Sequence, residues 1–277
     1  MLKKAYIEIT NRCNLRCAFC IGTRRALRDM SPDEFALVLD RLRGRVEYVY
    51  LHVMGEPLLH PQLPALLALA GERGMRVCIT TNGTLLPARQ EVLLTAPTLH
   101  KLSVSLHSFE GNGGVDPAAY LDGVWRFADA AARRGVVVAL RLWNEGGLEE
   151  QNADILAFLR EKYPGSWPEK RSGSFTLREN LYLERAQKFD WPDLAAQESG
   201  AQFCYALRDQ IGVLCDGTAV PCCLDHEGNL ALGSLFTQSL DEILASPRAA
   251  ALREGFSRRS PSEELCRRCG FAARFSR

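Results

Sequence analysis

The sequence has no apolar run near the roughly 20 residues a membrane-spanning helix needs, so no membrane span is expected. It also lacks charge imbalance: 34 Lys and Arg stand against 33 Asp and Glu, a net charge of +1. That balance demands no basic face, so long-range attraction to nucleic acid or to a membrane surface is not indicated. The segment Met1-Leu2-Lys3-Lys4 runs directly into a strand-like stretch without the apolar region of a secretory signal, and a cytoplasmic protein is expected. Structural disulfides are rare in a reducing cytoplasm. The ten cysteines among 277 residues therefore need another explanation, and metal binding is the natural one. With 47% hydrophobic and 24% charged residues the composition is globular, and the length suffices for a sizeable core.

The cysteines begin with Cys13-Asn14-Leu15-Arg16-Cys17-Ala18-Phe19-Cys20, a C-x3-C-x2-C pattern with an aromatic before the last thiol. Three thiolates so spaced can hold three corners of a cubane [4Fe–4S] cluster. The fourth iron is then open to bind and activate something, as the open position of a catalytic zinc does. A zinc knuckle or three buried thiols is the competing reading. Zinc motifs pair C-x2-C units or mix Cys with His, and neither lies nearby. The spacing, with Phe19 in its place, resembles the radical S-adenosylmethionine (SAM) superfamily. The resemblance implies that the open iron chelates SAM. One electron, supplied by a flavodoxin or ferredoxin-type donor, then splits SAM into methionine and a 5′-deoxyadenosyl radical.

The chain downstream alternates strand and helix. Residues 4–10, 46–53, 75–81, 99–106, 136–143 and 175–184 read as strands. Helices are expected to open at Ser31-Pro32-Asp33-Glu34 and to fill 61–73, 87–96, 117–134 and 149–163. Five strand–helix units and a closing strand argue for a parallel sheet with right-handed crossovers. The predicted class is α/β: a partial (β/α)6 TIM-like barrel with a small C-terminal β-hairpin plus helix domain. Ligands on such sheets bind at the carboxyl ends of the strands. The unusual residues converge there: the cysteine loop, Met54-Gly55-Glu56-Pro57, Thr81-Asn82-Gly83, Ser105-Leu106-His107 and, at the fifth strand, Arg141 and Asn144.

Within the resemblance, Met54-Gly55-Glu56-Pro57 corresponds to a motif that binds the SAM amino group, with Met54 in place of a common Gly. An ammonium needs acceptors, which the Glu56 carboxylate or local carbonyls supply. Backbone near Phe19 would meet the adenine, and Ser105 and Arg141 match positions that bind the ribose and carboxylate. Asn82 reads equally as a turn residue, and Arg141 as half of an ion pair. His107 can bind substrate or move a proton, or simply hydrogen-bond a loop carbonyl. Glu8 and Tyr6 share one face of the first strand; Glu8 is expected to support the site, and Tyr6 is the weaker candidate. The Gly-rich loops 110–114 and 144–147 are candidates for a substrate mouth.

The grammar changes near residue 190. Residues 190–203 read as a linker between a 1–189 core and a 204–277 appendage. There, 211–215, a turn at Asp216-Gly217-Thr218 and 219–224 predict a hairpin, followed by one helix from Ser239 to about Arg253. Cys204, Cys222, Cys266 and Cys269 form a four-thiolate set that suits zinc or a second [4Fe–4S] cluster equally. Behind a radical SAM core the set resembles the SPASM/twitch family, in the shorter form with one auxiliary cluster. The spacing is similar to that of 2-deoxy-scyllo-inosamine dehydrogenase-like enzymes. Cys78 is expected in the core. Cys223 should face away from Cys222 if their strand is regular, and Cys215 is the expected substitute for a misassigned ligand.

Three functions are compatible with these readings. The first is oxidation of a C–H bond in a small-molecule or peptide substrate, with the auxiliary cluster as electron acceptor. The second is a peptide-modifying maturase forming a crosslink or epimer. The third is a non-catalytic iron–sulfur electron-transfer protein, against which the strand-end residues argue.

Overall fold

The structure is a computed structural model that describes residues 2–109 and 116–275; the expected 110–114 loop falls outside them. The sequence alternation is realised in order as β1 (Lys4–Ile7), α1 (Pro32–Leu42), β2 (Tyr48–Tyr50), α2 (Leu63–Glu72), β3 (Arg76–Thr81), α3 (Leu86–Thr95), β4 (Leu99–Ser105), α4 (Pro117–Arg133), β5 (Val137–Glu145) and α5 (Asn152–Lys162). The first helix shows why these segments fold as they do. The Ser31 hydroxyl accepts from the Glu34 N–H while Glu34 reaches back to the Ser31 N–H, a capping box; such caps contribute about 1 kcal/mol. Phe35, Val38, Leu39 and Leu42 recur at helical period and are buried. Burial stabilises each by roughly 1.5–3 kcal/mol.

One expected strand is two. Residues 175–184 split into β7 (Ser174–Arg178) and β8 (Leu181–Gln187), with β6 (Glu169–Arg171) beside β7. Asn180, at φ +59°, turns the chain; the left-handed region is one that Asn tolerates. β8 is the strand that pairs parallel with β5, while β7 and β6 add antiparallel outside it.

The C-terminal strands β9 (Gln210–Val213), β10 (Thr218–Val220) and β11 (Gly233–Ser234) form the expected hairpin and a third short strand. They do not stand apart: β9 pairs parallel with β1, Lys4 opposite Gln210 and Ile7 opposite Val213. The sheet order is β11-β10-β9-β1-β2-β3-β4-β5-β8-β7-β6. The single helix expected from Ser239 is also two, α6 (Leu240–Ala245) and α7 (Pro247–Ser257). Pro247 removes an N–H and holds Ser246 extended at ψ 146°, so Ser246 closes one helix and caps the next. Two short helices, α8 (Glu264–Arg267) and α9 (Gly270–Ala273), carry and follow the last cysteine pair.

Residues 190–203 contain neither helix nor strand. The helices α1 to α5 cover one face of the parallel strands. The other face curls round a cavity of about 710 Å³ walled by side chains from β1, β2, β3, β5 and the C-terminal segment. No helix among the described residues is long and apolar enough to cross a membrane.

Candidate active site

The Cys13–Cys20 loop leaves β1 and is held by backbone on every side. Glu56 N–H donates to the Arg12 carbonyl at 2.8 Å, and Cys17 Sγ lies 3.3 Å from the Ser108 carbonyl. Gly55 makes this approach possible. At φ +77°, a Cβ there would sit 2.4 Å from the Thr10 carbonyl oxygen and 2.8 Å from that of Arg12. The Met-Gly-Glu-Pro turn is therefore moulded onto the three residues that precede Cys13.

Glu56 is buried, and both its oxygens are engaged. Oε1 accepts from Leu58 N–H at 3.0 Å and Thr81 Oγ1 at 2.7 Å; Oε2 accepts from Asn82 N–H at 2.7 Å. Burial pushes its carboxyl up to about 7 against these bonds, which favour the ionised form. Glu56 thus ties the turn after β2 to the end of β3. Asn82 continues the chain of contacts. Its amide donates to Asn14 Oδ1 at 2.9 Å, inside the cysteine loop, while its own oxygen accepts from Thr84 N–H. Asn82 is accordingly a turn residue and a support of the loop at once.

Glu8 lies behind the cavity wall, fully buried, and pairs with Arg25 at 2.6 Å. It also accepts from Met54 N–H and Cys215 N–H, both at 3.1 Å. One carboxylate therefore joins the first strand, the segment after the cysteine loop, the Met-Gly-Glu-Pro turn and the C-terminal hairpin. Cys215 sits at this knot, 3.7 Å from an Arg25 nitrogen, with burial pushing its thiol up to about 12. It does not line the cavity. Cys223 does line it, beside Cys222. The alternation that would have turned Cys223 away does not apply, because β10 ends at Val220 before Pro221. Cys78 is in the core, as expected.

The cavity brings together Tyr6, Phe19, Ser105, His107 and Arg141 with Cys204, Cys222, Cys266 and Cys269. His107 stacks on Phe19 with ring centroids 4.6 Å apart, and its Nδ1 lies 3.1 Å from the Arg141 carbonyl. Burial lowers its pKa to about 4, so the ring is neutral. Arg141 is ion-paired: Nε is 3.3 Å from Glu184, and the guanidinium lies 4.3 Å over Trp143. Burial opposes ionisation of Glu184, but Lys101, Arg141 and Arg171 outweigh it and hold its carboxyl below the usual range. Tyr6 is buried, and burial together with nearby Cys223 pushes its phenol well up. Cys13, Cys17 and Cys20 themselves are not on the cavity wall; Phe19 of their loop is.

The four C-terminal thiols come from three separate segments, and all face the cavity. Burial is the first cause of a raised thiol pKa at each, and Cys222 is raised further by Cys223, then by Cys204, Cys266 and Cys269. Crowded buried thiols gain little from one another. They gain a great deal as thiolates on iron, because a coordinating thiol is deprotonated outright. The donor set therefore fits a cluster. Among the described residues no three such side chains are drawn into a cage for a single ion; a cubane asks for a wider spread, since each thiolate takes a different iron.

Several wall residues were not singled out from sequence. Tyr48, Tyr50 and His52 alternate along and just beyond β2 and all face the cavity, a period-two signal present in Tyr-Val-Tyr-Leu-His. Trp191, in the expected linker, donates its indole N–H to the Phe19 carbonyl at 3.0 Å and lines the same space. Arg25 carries no motif; only its contact with Glu8 reveals it.

Comparison with known proteins agrees with this geometry. Residues 7–156 match the radical SAM superfamily model, and residues 204–270 match an iron–sulfur cluster-binding domain, SPASM. The chain is 29% identical over 198 residues to Fe-coproporphyrin III synthase of Methanosarcina barkeri, covering 65% of this chain and 48% of the synthase. It spans at most about half the length of the curated relatives it matches. Among solved structures it is similar in fold to BtrN in complex with AdoMet and 2-DOIA, with a TM-score of 0.63, 16% identity, and coverage of 97% of this chain and 93% of that one. It is similar also to Streptococcus suis SuiB bound to precursor peptide SuiA, with a TM-score of 0.60, 16% identity, and coverage of 99% and 70%. With more than half of its residues matched by the family model, a cysteine loop of the family's spacing and a second cluster-binding segment, this chain belongs to the radical SAM superfamily.

Proposed function

We propose that the chain is a radical SAM oxidoreductase that removes two electrons from a C–H bearing small molecule. In this reading Cys13, Cys17 and Cys20 hold the SAM-binding [4Fe–4S] cluster, and Cys204, Cys222, Cys266 and Cys269 hold one auxiliary [4Fe–4S] cluster. Residues 1–189 form the core, 190–203 a connector and 204–277 the auxiliary segment, in a cytoplasmic setting with a flavodoxin or ferredoxin-type electron donor. When bound, SAM and the clusters supply a 5′-deoxyadenosyl radical and an acceptor for the substrate's electron.

The protein's own part is placement. Gly55 lets the turn after β2 lie on the backbone entering Cys13. The Glu56 oxygens hold Leu58, Thr81 and Asn82; the SAM ammonium would be accepted by what remains of that carboxylate or by backbone carbonyls of the turn. Phe19, with His107 tilted against it, would meet the adenine, and Ser105 and Arg141, both on the wall, would hold the ribose and carboxylate. Tyr6, whose phenol is pushed well up by burial, is not suited to act as a base.

The observation that carries the reading is that one cavity is walled both by Phe19 of the first cysteine loop and by all four C-terminal thiols. A substrate there lies between the two redox sites. Its volume is in the range of small-molecule pockets. The test is transfer of deuterium from a labelled candidate substrate into 5′-deoxyadenosine, with one product oxidised by two electrons per SAM consumed. Deuterium transfer with a redox-neutral product would replace oxidation by epimerisation or rearrangement. Absence of 5′-deoxyadenosine from reduced protein would leave only an electron-transfer role.

A further inference from the structure

The cavity wall between β1 and β2 carries groups that neither cluster nor SAM binding accounts for. Lys4 and Tyr6 alternate along β1, and Tyr48, Tyr50 and His52 along β2 and just past it, so all five face inward. Lys4 Nζ lies 5.3 Å from the Tyr6 ring centre and 5.4 Å from that of Tyr50. No carboxylate among the described residues pairs with it, whereas Lys3 is paired with Asp209 and Arg141 with Glu184. Asp209 is the only carboxylate residue on the described wall. His52 packs edge-on to Tyr6 at 5.4 Å and completes the aromatic wall.

A half-buried ammonium without a counter-charge is unfavourable alone. Two aromatic faces offset part of the cost for Lys4. An oxygen anion seated on Lys4 removes the rest, because a charge-assisted hydrogen bond to an ammonium is among the stronger polar contacts. The remaining surface is aromatic and suits a flat apolar body. A neutral polyol would leave Lys4 unneutralised.

We propose that this cavity takes a small substrate with a flat apolar body and an anionic oxygen head group, carboxylate or phosphate, the head on Lys4 and the body among Tyr6, Tyr48 and Tyr50. The proposal rests on the substrate-site reading above and adds the chemical class. Lys4 anchors the end of the substrate away from Phe19, which leaves the far end of the body toward the SAM side. The competing role for Lys4, offsetting the charge of the auxiliary cluster, has a separate readout.

The test is anaerobic titration calorimetry of the reconstituted protein with SAM bound, using naphthalene-2-carboxylate, 2-naphthyl phosphate and naphthalene-2-carboxamide as probes. At least one anion should bind at least tenfold more tightly than the neutral amide; which anion is tighter identifies the head group. Lys4→Gln should reduce anion affinity to the amide level, and Lys4→Arg should keep most of it. Iron content and the auxiliary reduction potential should stay unchanged in both. Equal affinity for amide and anions overturns the proposal. So does a Lys4→Gln variant that binds the anions normally while its auxiliary potential shifts. The titration needs no turnover: anion-selective binding without substrate oxidation would sink the oxidoreductase reading alone, and oxidation of a neutral substrate with no anion preference would sink this one alone.

Discussion

Replacing Gly55 by Ala tests how the SAM-side turn is built. The residue sits at φ +77°, a region that costs an L-residue roughly 1–2 kcal/mol. The new Cβ would lie 2.4 Å from the Thr10 carbonyl oxygen, 2.8 Å from that of Arg12 and 2.9 Å from the Asn11 carbonyl carbon. These are backbone atoms, so relief requires moving the turn away and losing the 2.8 Å bond from Glu56 N–H to Arg12, about 1 kcal/mol more. With overpacking the total is on the order of 3 kcal/mol. Gly44 is the internal control: its φ is +72°, yet nothing lies within 4 Å of where an added methyl would stand, so Gly44→Ala should cost only the backbone preference. Anaerobic denaturant unfolding gives the stabilities, and reductive SAM cleavage the function. Gly55→Ala should be the less stable by about 1–2 kcal/mol and should lose SAM affinity at least tenfold, while Gly44→Ala keeps it within about twofold. Two variants indistinguishable in both assays would refute the moulded turn.

The buried Glu56 makes stability depend on pH. Its folded pKa, about 7, is above the ordinary 4.5. Its contribution is therefore fully present below pH 4.5 and declines as pH rises through 7. Between pH 6 and 8 wild type should lose about 1 kcal/mol relative to Glu56→Gln, and parallel stability curves would contradict the shift. Glu8→Ala leaves the half-buried Arg25 without its carboxylate and the N–H groups of Met54 and Cys215 without their acceptor, and should destabilise by about 3 kcal/mol, read as a lowered unfolding midpoint with unchanged slope; a change within about 0.5 kcal/mol would remove Glu8 as the joint between segments. Cys266→Ala with Cys269→Ala should preserve SAM cleavage in a folded barrel and abolish oxidised product, whereas full product formation would make the second cluster structural and the chemistry redox-neutral.

Much of the fold was legible because each unit carries its own signal: the Ser31–Glu34 capping box, helical periodicity in Phe35 to Leu42, and a special motif after each strand. Motif spacing likewise reveals the cysteine loop. What sequence hid depends on pairing through space. The left-handed turn at Asn180 separates two strands that read as one, since Glu179-Asn180 is a weak turn signal between two strand-like stretches. Pro247 was visible, but its break at Ser246 competes with helical signals on both sides. The pairing of β9 with β1 joins residues some two hundred positions apart, and only that pairing brings Cys215 to Glu8 and the hairpin cysteines to the cavity. Tyr48, Tyr50 and His52 show their alternation in sequence, but alternation alone does not distinguish a cavity face from a packed one.

The central claim is two iron–sulfur sites of different character on one chain. It is tested most directly by iron analysis and electron paramagnetic resonance of the anaerobically reconstituted, reduced protein, with and without SAM. Wild type should hold about eight irons per chain, and SAM should alter the signal of one cluster only. The Cys13→Ala, Cys17→Ala, Cys20→Ala triple variant should keep about four irons and show no response to SAM. Stoichiometric zinc in place of the second set of iron, or a SAM response that survives in the triple variant, would contradict it.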